Sequence, residues 1–350
     1  MSGTIKEGKM KLAVFGRGYD DVRADSGEGA IEDYNRYAMG VTTGCFDATG
    51  QYLWLGCYGN GHAAGLLKFD MDDDFQELPH TIPTTQNACV ILHASTSENN
   101  LGLCIQGANW FVFDLTDETI VASGADANIP LYIDWGRVPF DVALNDTKFL
   151  ITTPKTTRIT PIVLSLDYSD GTFTATTISG YQRAGNVFIN PDILYLYYPA
   201  EWQYHNDVIE GVSPNGSGVW FGEATGTYDN VQLSGFGKAG RLFVPSFIYS
   251  AWRLGEYNGT IAPNFLTPKP IKLIGKFTSK PTITRFEFSH QKKCVAFTSN
   301  IGLFVSDFNE LEKLSDSSYA VIAVNNKFAV VDAGYMSPSQ PSSIGIYTYR

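Results

Sequence analysis

Short apolar runs separated by polar turns recur along the whole chain, and no stretch of useful length carries the 3.6-residue period of an amphipathic helix. The clearest copy starts at Cys45-Phe46, passes the polar turn Asp47-Ala48-Thr49-Gly50 and continues as Tyr52-Leu53-Trp54-Leu55. It turns again through Gly59 and Gly61 and ends on Gly65-Leu66-Leu67-Lys68-Phe69-Asp70. Such runs, rich in aromatic and branched side chains and bounded by Gly, Asn and Asp, predict strands joined by hairpins. The phrase returns at Ile91-Leu92, with a turn at Glu98-Asn99-Asn100 and strands Leu101 to Ile105 and Trp110 to Leu115. It returns at Val142-Ala143-Leu144, with a turn at Asn145-Asp146 and a strand from Phe149 to Thr152. Turns at Asn190-Pro191-Asp192, Ala239-Gly240, His290-Gln291-Lys292 and Asn325-Asn326 bring the copies to seven.

The second strands of these copies begin at Tyr52, Leu101, Phe149, Ile193, Leu242, Cys294 and Phe328, at steps of roughly 34 to 52 residues in a chain of 350. A period of that size with four short strands per copy predicts an all-β chain folded as a single seven-bladed β-propeller. The blades fall at about 38–80, 87–123, 138–179, 184–233, 234–275, 283–314 and 319–350. The last copy offers only Phe328 to Asp332 and Ile344 to Tyr349 after its first strand, one strand too few. The strand-like segment at about 10–16, with Leu12, Val14 and Phe15, supplies the missing one. Pairing of this N-terminal strand with the C-terminal blade is expected to close the ring and leave no open seam.

The sequence resembles the WD40-like propellers in the shape of each repeat. The likeness is greatest at Phe288-Ser289-His290-Gln291-Lys292-Lys293-Cys294-Val295-Ala296-Phe297, followed by Ile301-Gly302-Leu303-Phe304-Val305-Ser306-Asp307. It extends over nearly the whole chain, without the Trp-Asp endings or Gly-His openings of that family and without Kelch-type double glycines. The resemblance implies the fold, and a fold by itself assigns no activity.

Composition narrows the function. With 44% apolar and 17% charged residues the chain folds and is soluble, and 36 acidic against 25 basic side chains repel phosphate backbones and anionic lipid. Neither nucleic acid nor membrane insertion is expected. The five cysteines, Cys45, Cys57, Cys89, Cys104 and Cys294, sit in apolar runs with no paired spacing and read as buried free thiols. The N-terminus lacks the apolar run of a signal peptide, so synthesis in the cytoplasm is expected. The sequons at Asn145, Asn215 and Asn258 then read as turn sequences.

Candidate chemistry is sparse. Gly235-Phe236-Gly237-Lys238-Ala239-Gly240 spells a dinucleotide fingerprint, but Arg241 to Pro245 reads as a strand where that motif needs a helix, so a hairpin turn is expected. Asp70, Asp72 and Asp74 alternate like calcium ligands, yet Phe75 and Thr81 stand where such a loop needs glycine and glutamate, leaving a solvated acidic turn. His62, His80, His93, His205 and His290 show no metal-ligand spacing, and no nucleophile elbow or phosphate loop occurs. No catalytic residue, metal or cofactor is expected.

Three stretches break the rhythm and read as insertions: acidic 17–36, and aromatic 197–218 and 251–270. The last two carry the candidate interaction residues Tyr198, Trp202, Tyr204, His205, Trp252, Arg253 and Tyr257, because aromatic and arginine side chains supply contact area at low entropic cost. The leading expectation is a non-catalytic structural or docking propeller whose partners are other protein chains, as a bacteriophage tail or virion component. Alternatives are a glycan-binding or glycan-cleaving propeller that stacks sugars on Trp202, Tyr204 or Trp252, and a cellular WD40-like scaffold.

Overall fold

The computed structural model describes residues 9–11, 41–57, 66–73, 76–82, 89–93, 100–129, 140–143, 147–153, 162–177, 188–190, 195–198, 208–212, 219–223, 236–238, 241–258, 270–290, 293–334 and 343–349. The elements among them are all strands, and they form seven four-stranded antiparallel sheets. The all-β class expected from the alternation is what the described residues adopt.

In chain order the first sheet holds β2 (Val41–Phe46), β3 (Tyr52–Cys57), β4 (Leu66–Asp70) and β5 (Gln76–Leu78). The second holds β6 (Cys89–His93), β7 (Leu101–Gln106), β8 (Asn109–Asp114) and β9 (Ile120–Ala125), and the third β10 (Phe140–Ala143), β11 (Lys148–Thr153), β12 (Ile162–Asp167) and β13 (Thr172–Thr177). The fourth is built from β14 (Phe188–Asn190), β15 (Tyr195–Tyr198), β16 (Val208–Val212) and β17 (Val219–Glu223). The fifth has β18 (Phe236–Lys238), β19 (Arg241–Ile248), β20 (Ala251–Asn258) and β21 (Lys272–Phe277). The sixth has β22 (Ile283–Phe288), β23 (Val295–Ser299), β24 (Gly302–Ser306) and β25 (Leu311–Ser315). The seventh combines β26 (Ala320–Val324), β27 (Phe328–Gly334) and β28 (Ser343–Thr348) with β1 (Lys9–Lys11).

The two ends of the chain meet in that seventh sheet. Lys9, Met10 and Lys11 stand opposite Thr348, Tyr347 and Ile346. The N-terminal strand expected over 10–16 is thus Lys9–Lys11, and 12–16 lie outside the described residues, as does the acidic stretch 17–36.

Successive residues of the middle strands enter different cores, which explains why they read as unbroken apolar runs. On β23, Val295 and Phe297 join a cluster with Phe243, Leu254, Ile274 and Phe277 of the fifth sheet. The residue between them, Ala296, faces Val321, Ala329 and Val331 of the seventh. On β3, Leu53 and Leu55 pack with Ile322 and Val330 of the seventh sheet, whereas Trp54 packs with Cys104 and Phe113 of the second. On β7, Leu103 and Ile105 meet Phe149 and Leu166 of the third. Each of these sheets is therefore covered on both faces, and each fully buried side chain contributes about 1.5–3 kcal/mol. The first strands of neighbouring sheets also touch, β2 against β6, β6 against β10, β10 against β14, β14 against β18, β22 against β26 and β26 against β2.

Candidate functional site

The strands β19 and β20 form the longest hairpin among the described residues, with Arg241 opposite Asn258 and Ile248 opposite Ala251. On one side β18 pairs with Arg241–Phe243 alone, and on the other β21 pairs with Trp252, Leu254, Gly255 and Glu256. The outer half of the hairpin runs past the last pair of β18, and Pro245 stands there, just beyond Phe243. Antiparallel alternation turns the nitrogen of Pro245 toward the side of β18, so the missing N–H costs the β19–β20 ladder nothing.

Tyr249 and Ser250 make the two-residue turn, both with left-handed backbones at φ 51° and 58°. Such turns match strand twist, and asparagine and glycine usually fill them because a Cβ in this region costs roughly 1–2 kcal/mol. The chain here keeps a tyrosine that is 85% exposed at the apex. Directly below, Phe247 and Trp252 are opposite residues whose rings lie 5.5 Å apart at 54°. Phe247 is 40% exposed, and the Lys280 ammonium sits 5.7 Å from the Trp252 ring centroid. The hairpin therefore offers a rigid aromatic tip with a cation beside it, a composition suited to contact with another macromolecule.

A bulge fixes the base of this tip. The β20–β21 register shifts between Trp252 and Leu254, and Gly275 in the bulge has φ 57°. A Cβ there would lie 2.6 Å from Leu311 Cβ, so only glycine fits. The Gly275 carbonyl accepts a hydrogen bond of 3.1 Å from Arg253 Nη1, which holds the guanidinium within the sheet. Arg253 Nε is buried with no partner among the described residues.

Of the sequence-expected interaction residues, Trp252, Arg253 and Tyr257 all lie on β20, and Tyr257 stands opposite Leu242. This corrects the expected insertion at 251–270: residues 251–258 are a paired strand, because Trp252, Leu254 and Glu256 have register partners on both sides. Tyr198 likewise ends β15 opposite Val208, so 197–198 and 208–212 are strand and not loop. Trp202, Tyr204 and His205 lie outside the described residues. Phe247, Tyr249 and Ser250 escaped the sequence reading because the run from Phe247 to Trp252 contains no Gly, Pro, Asn or Asp to mark a turn.

The remaining motifs resolve into structural roles. The glycine fingerprint is a hairpin, with Phe236 opposite Phe243 and Lys238 opposite Arg241. In the acidic turn Asp70 Oδ1 accepts the Asp72 N–H at 3.0 Å, and among the described residues no group of His, Cys, Asp or Glu could hold a metal. Cys45, Cys104 and Cys294 are buried. His80 Nε2 lies 2.7 Å from the Leu66 carbonyl, and the half-buried His290 is held below the ordinary histidine value by burial and then by Lys293, against the pull of Asp47.

No protein-family model matches the chain, and no curated protein matches it. Among solved structures it is similar to Kluyvelomyces marxianus Hsv2, at 10% identity over 84% of this chain and 88% of that one, with a TM-score of 0.43. It is similar to a complex of KlAtg21 with the coiled coil of AgAtg16, at 9% identity over 89% and 95%, with a TM-score of 0.47. It is also similar to the β-propeller domain of Cps50 (Swd1) from Myceliophteria thermophila, at 12% identity over 89% and 97%, again with a TM-score of 0.47. At such identities and TM-scores the likeness assigns neither a family nor a role.

Proposed function

We propose that the seven sheets are the blades of a β-propeller ring closed by β1, and that the protein is a non-catalytic docking scaffold which engages other protein chains through the β19–β20 tip. Support for the ring comes from the pairing of β1 with β28 and from the contact of β26 with β2. The observation that carries the docking reading is the turn Tyr249–Ser250. A bulky residue kept at positive φ and 85% exposed adds nothing to the core, and strain of this kind concentrates where chains make functional contacts.

The test compares Phe247→Ala, Tyr249→Ala and Trp252→Ala in the full chain. Phe247→Ala and Tyr249→Ala are expected to keep the thermal transition of the parent, Trp252→Ala to lower it because that ring also packs on the core of the fifth and sixth sheets, and each to cost about 2 kcal/mol or more in partner association. Unchanged partner affinity in all three would end the docking reading. Co-sedimentation of the parent chain with a viral particle assigns the partner as a virion assembly, and recovery in a smaller complex assigns a cellular scaffold. Retention on immobilised glycans that depends on Trp252 would replace the protein partner with carbohydrate.

A further inference from the structure

We propose that β9, the outer strand of the second sheet, is a separate docking edge that takes an extended basic peptide as an added strand. It stands independently of the β19–β20 tip. Among the described residues β9 pairs only with β8, and its sequence Ile-Val-Ala-Ser-Gly-Ala contains no charge and no proline. Ile120 is 42% and Val121 51% exposed.

The phase of the ladder shows which groups are offered. Asp126 N–H donates to the Ala108 carbonyl at 2.8 Å, Ala125 stands opposite Asn109 and Ser123 opposite Phe111. Alternation along an antiparallel pair then directs the N–H and C=O of Ser123 and Ala125 away from β8, toward the open edge. Both residues are exposed. Gly124 lies flat under Trp110, where a Cβ would come within 2.5 Å of the indole, so the edge is braced from the inner strand.

Most other outer strands carry the usual protection against added strands. β1 and β5 are three residues long, β21 holds Lys272 and Lys276, β25 holds Glu312 and Lys313, and β17 ends on Glu223. β13 is also uncharged, but its first exposed positions are threonines where β9 shows isoleucine and valine.

Charge selects the partner. Residues 69–136 contain eleven of the 36 acidic side chains and no lysine or arginine, so the whole formal excess of −11 falls in this stretch. β9 lies within it, preceded by the exposed Asp117 and followed by Asp126. Hydrogen bonds from Thr119 hold the Asp117 carboxyl below the ordinary aspartate value, which keeps it charged. Glu118 is neutralised by Lys68 and adds nothing to this attraction. A second copy of so acidic an edge repels, whereas a peptide with an apolar centre and Lys or Arg ends matches both the backbone and the field.

The experiment uses the full chain and a fluorescent synthetic peptide of alternating Thr, Val and Ile between Lys-Arg ends. Saturable binding is expected, with slowed amide exchange at Ser123 and Ala125. Binding should weaken at least about tenfold with Val121→Lys, with Ser123→Pro, and with N-methylation of alternate peptide amides. Neither variant removes a ladder bond to β8, and if Ser123→Pro loses its thermal transition, the other two comparisons carry the test. No binding, equal binding of the same core with Glu ends, or binding that survives N-methylation overturns the proposal. Self-association of the parent that Val121→Lys abolishes also overturns it, since the occupant is then a second copy.

Discussion

The Lys68 ammonium on β4 lies 2.7 Å from Glu118 Oε1 in the turn between β8 and β9, joining the first sheet to the second across fifty positions of sequence. Lys68 is 8% exposed and rests over the Tyr52 and Trp54 rings, 4.4 and 5.1 Å from their centroids. The other carboxylate oxygen accepts the Thr81 N–H at 2.7 Å and its hydroxyl at 3.1 Å. Burial pushes the Glu118 carboxyl up, but hydrogen bonds from Lys68 and Thr81 and the ammonium's charge more than offset this and hold it below the ordinary 4.5. A lowered folded pKa gives stability that is complete above the unfolded value and lost as pH falls through the folded one. Urea midpoints are therefore expected to hold this contribution above the ordinary carboxylate value and to lose it as the pH falls below that value. Glu118→Gln should lack that part of the acid dependence and cost about 2 kcal/mol at neutral pH. Parallel acid profiles for parent and variant would contradict the assignment.

Asn325 ties the seventh sheet to the first. Its Nδ2 donates to the Gly50 carbonyl at 2.8 Å, while its Oδ1 accepts the Lys327 and Phe328 N–H groups at 2.8 and 2.6 Å. The residue is 5% exposed, so truncation leaves buried groups without partners. Asn325→Ala is expected to cost about 2–3 kcal/mol in chemical denaturation. A loss within experimental error would show that water replaces these bonds freely.

The tip of the β19–β20 hairpin should trade stability for function. Replacing its turn by Tyr249→Asn with Ser250→Gly relieves two left-handed side-chain residues and is expected to stabilise the fold by about 1 kcal/mol. The same double variant removes the exposed ring and should bind the partner more weakly. A thermal midpoint that falls instead would mean that Tyr249 packs usefully on the scaffold.

Removal of residues 1–16 deletes β1 and opens β28 to solvent. Three residue pairs are lost, worth about 2–4 kcal/mol in net backbone hydrogen bonding, and the thermal transition should move down accordingly. An unchanged transition would refute any structural role for the segment.

What the sequence made legible was mostly local, the pairing of the N-terminal strand with the C-terminal blade being the long-range exception. Alternation and turn residues placed Tyr52-Leu53-Trp54-Leu55, Leu101 to Ile105 and Phe149 to Thr152 in strands, and they lie in β3, β7 and β11. The hairpin under the false dinucleotide motif was readable because Arg241 to Pro245 has strand character. The aromatic segment from Ala251 misled because rings and arginine serve paired strands as readily as contact loops, and only register partners distinguish the two. The Lys68–Glu118 and Asn325–Gly50 links were invisible for another reason, since nothing in local pattern pairs residues so far apart.

The pairing of Lys9–Lys11 with Ser343–Thr348 also sets a timetable. A ribosome adding about 5–20 residues per second needs roughly 20–70 s between making the first of these strands and the last. Throughout that interval the earliest strand has no mate, and the sheets that follow it must assemble without it. The seventh sheet is thus completed by a strand made long before its other three, and a stalled nascent chain is left with an unsatisfied strand for chaperones to cover.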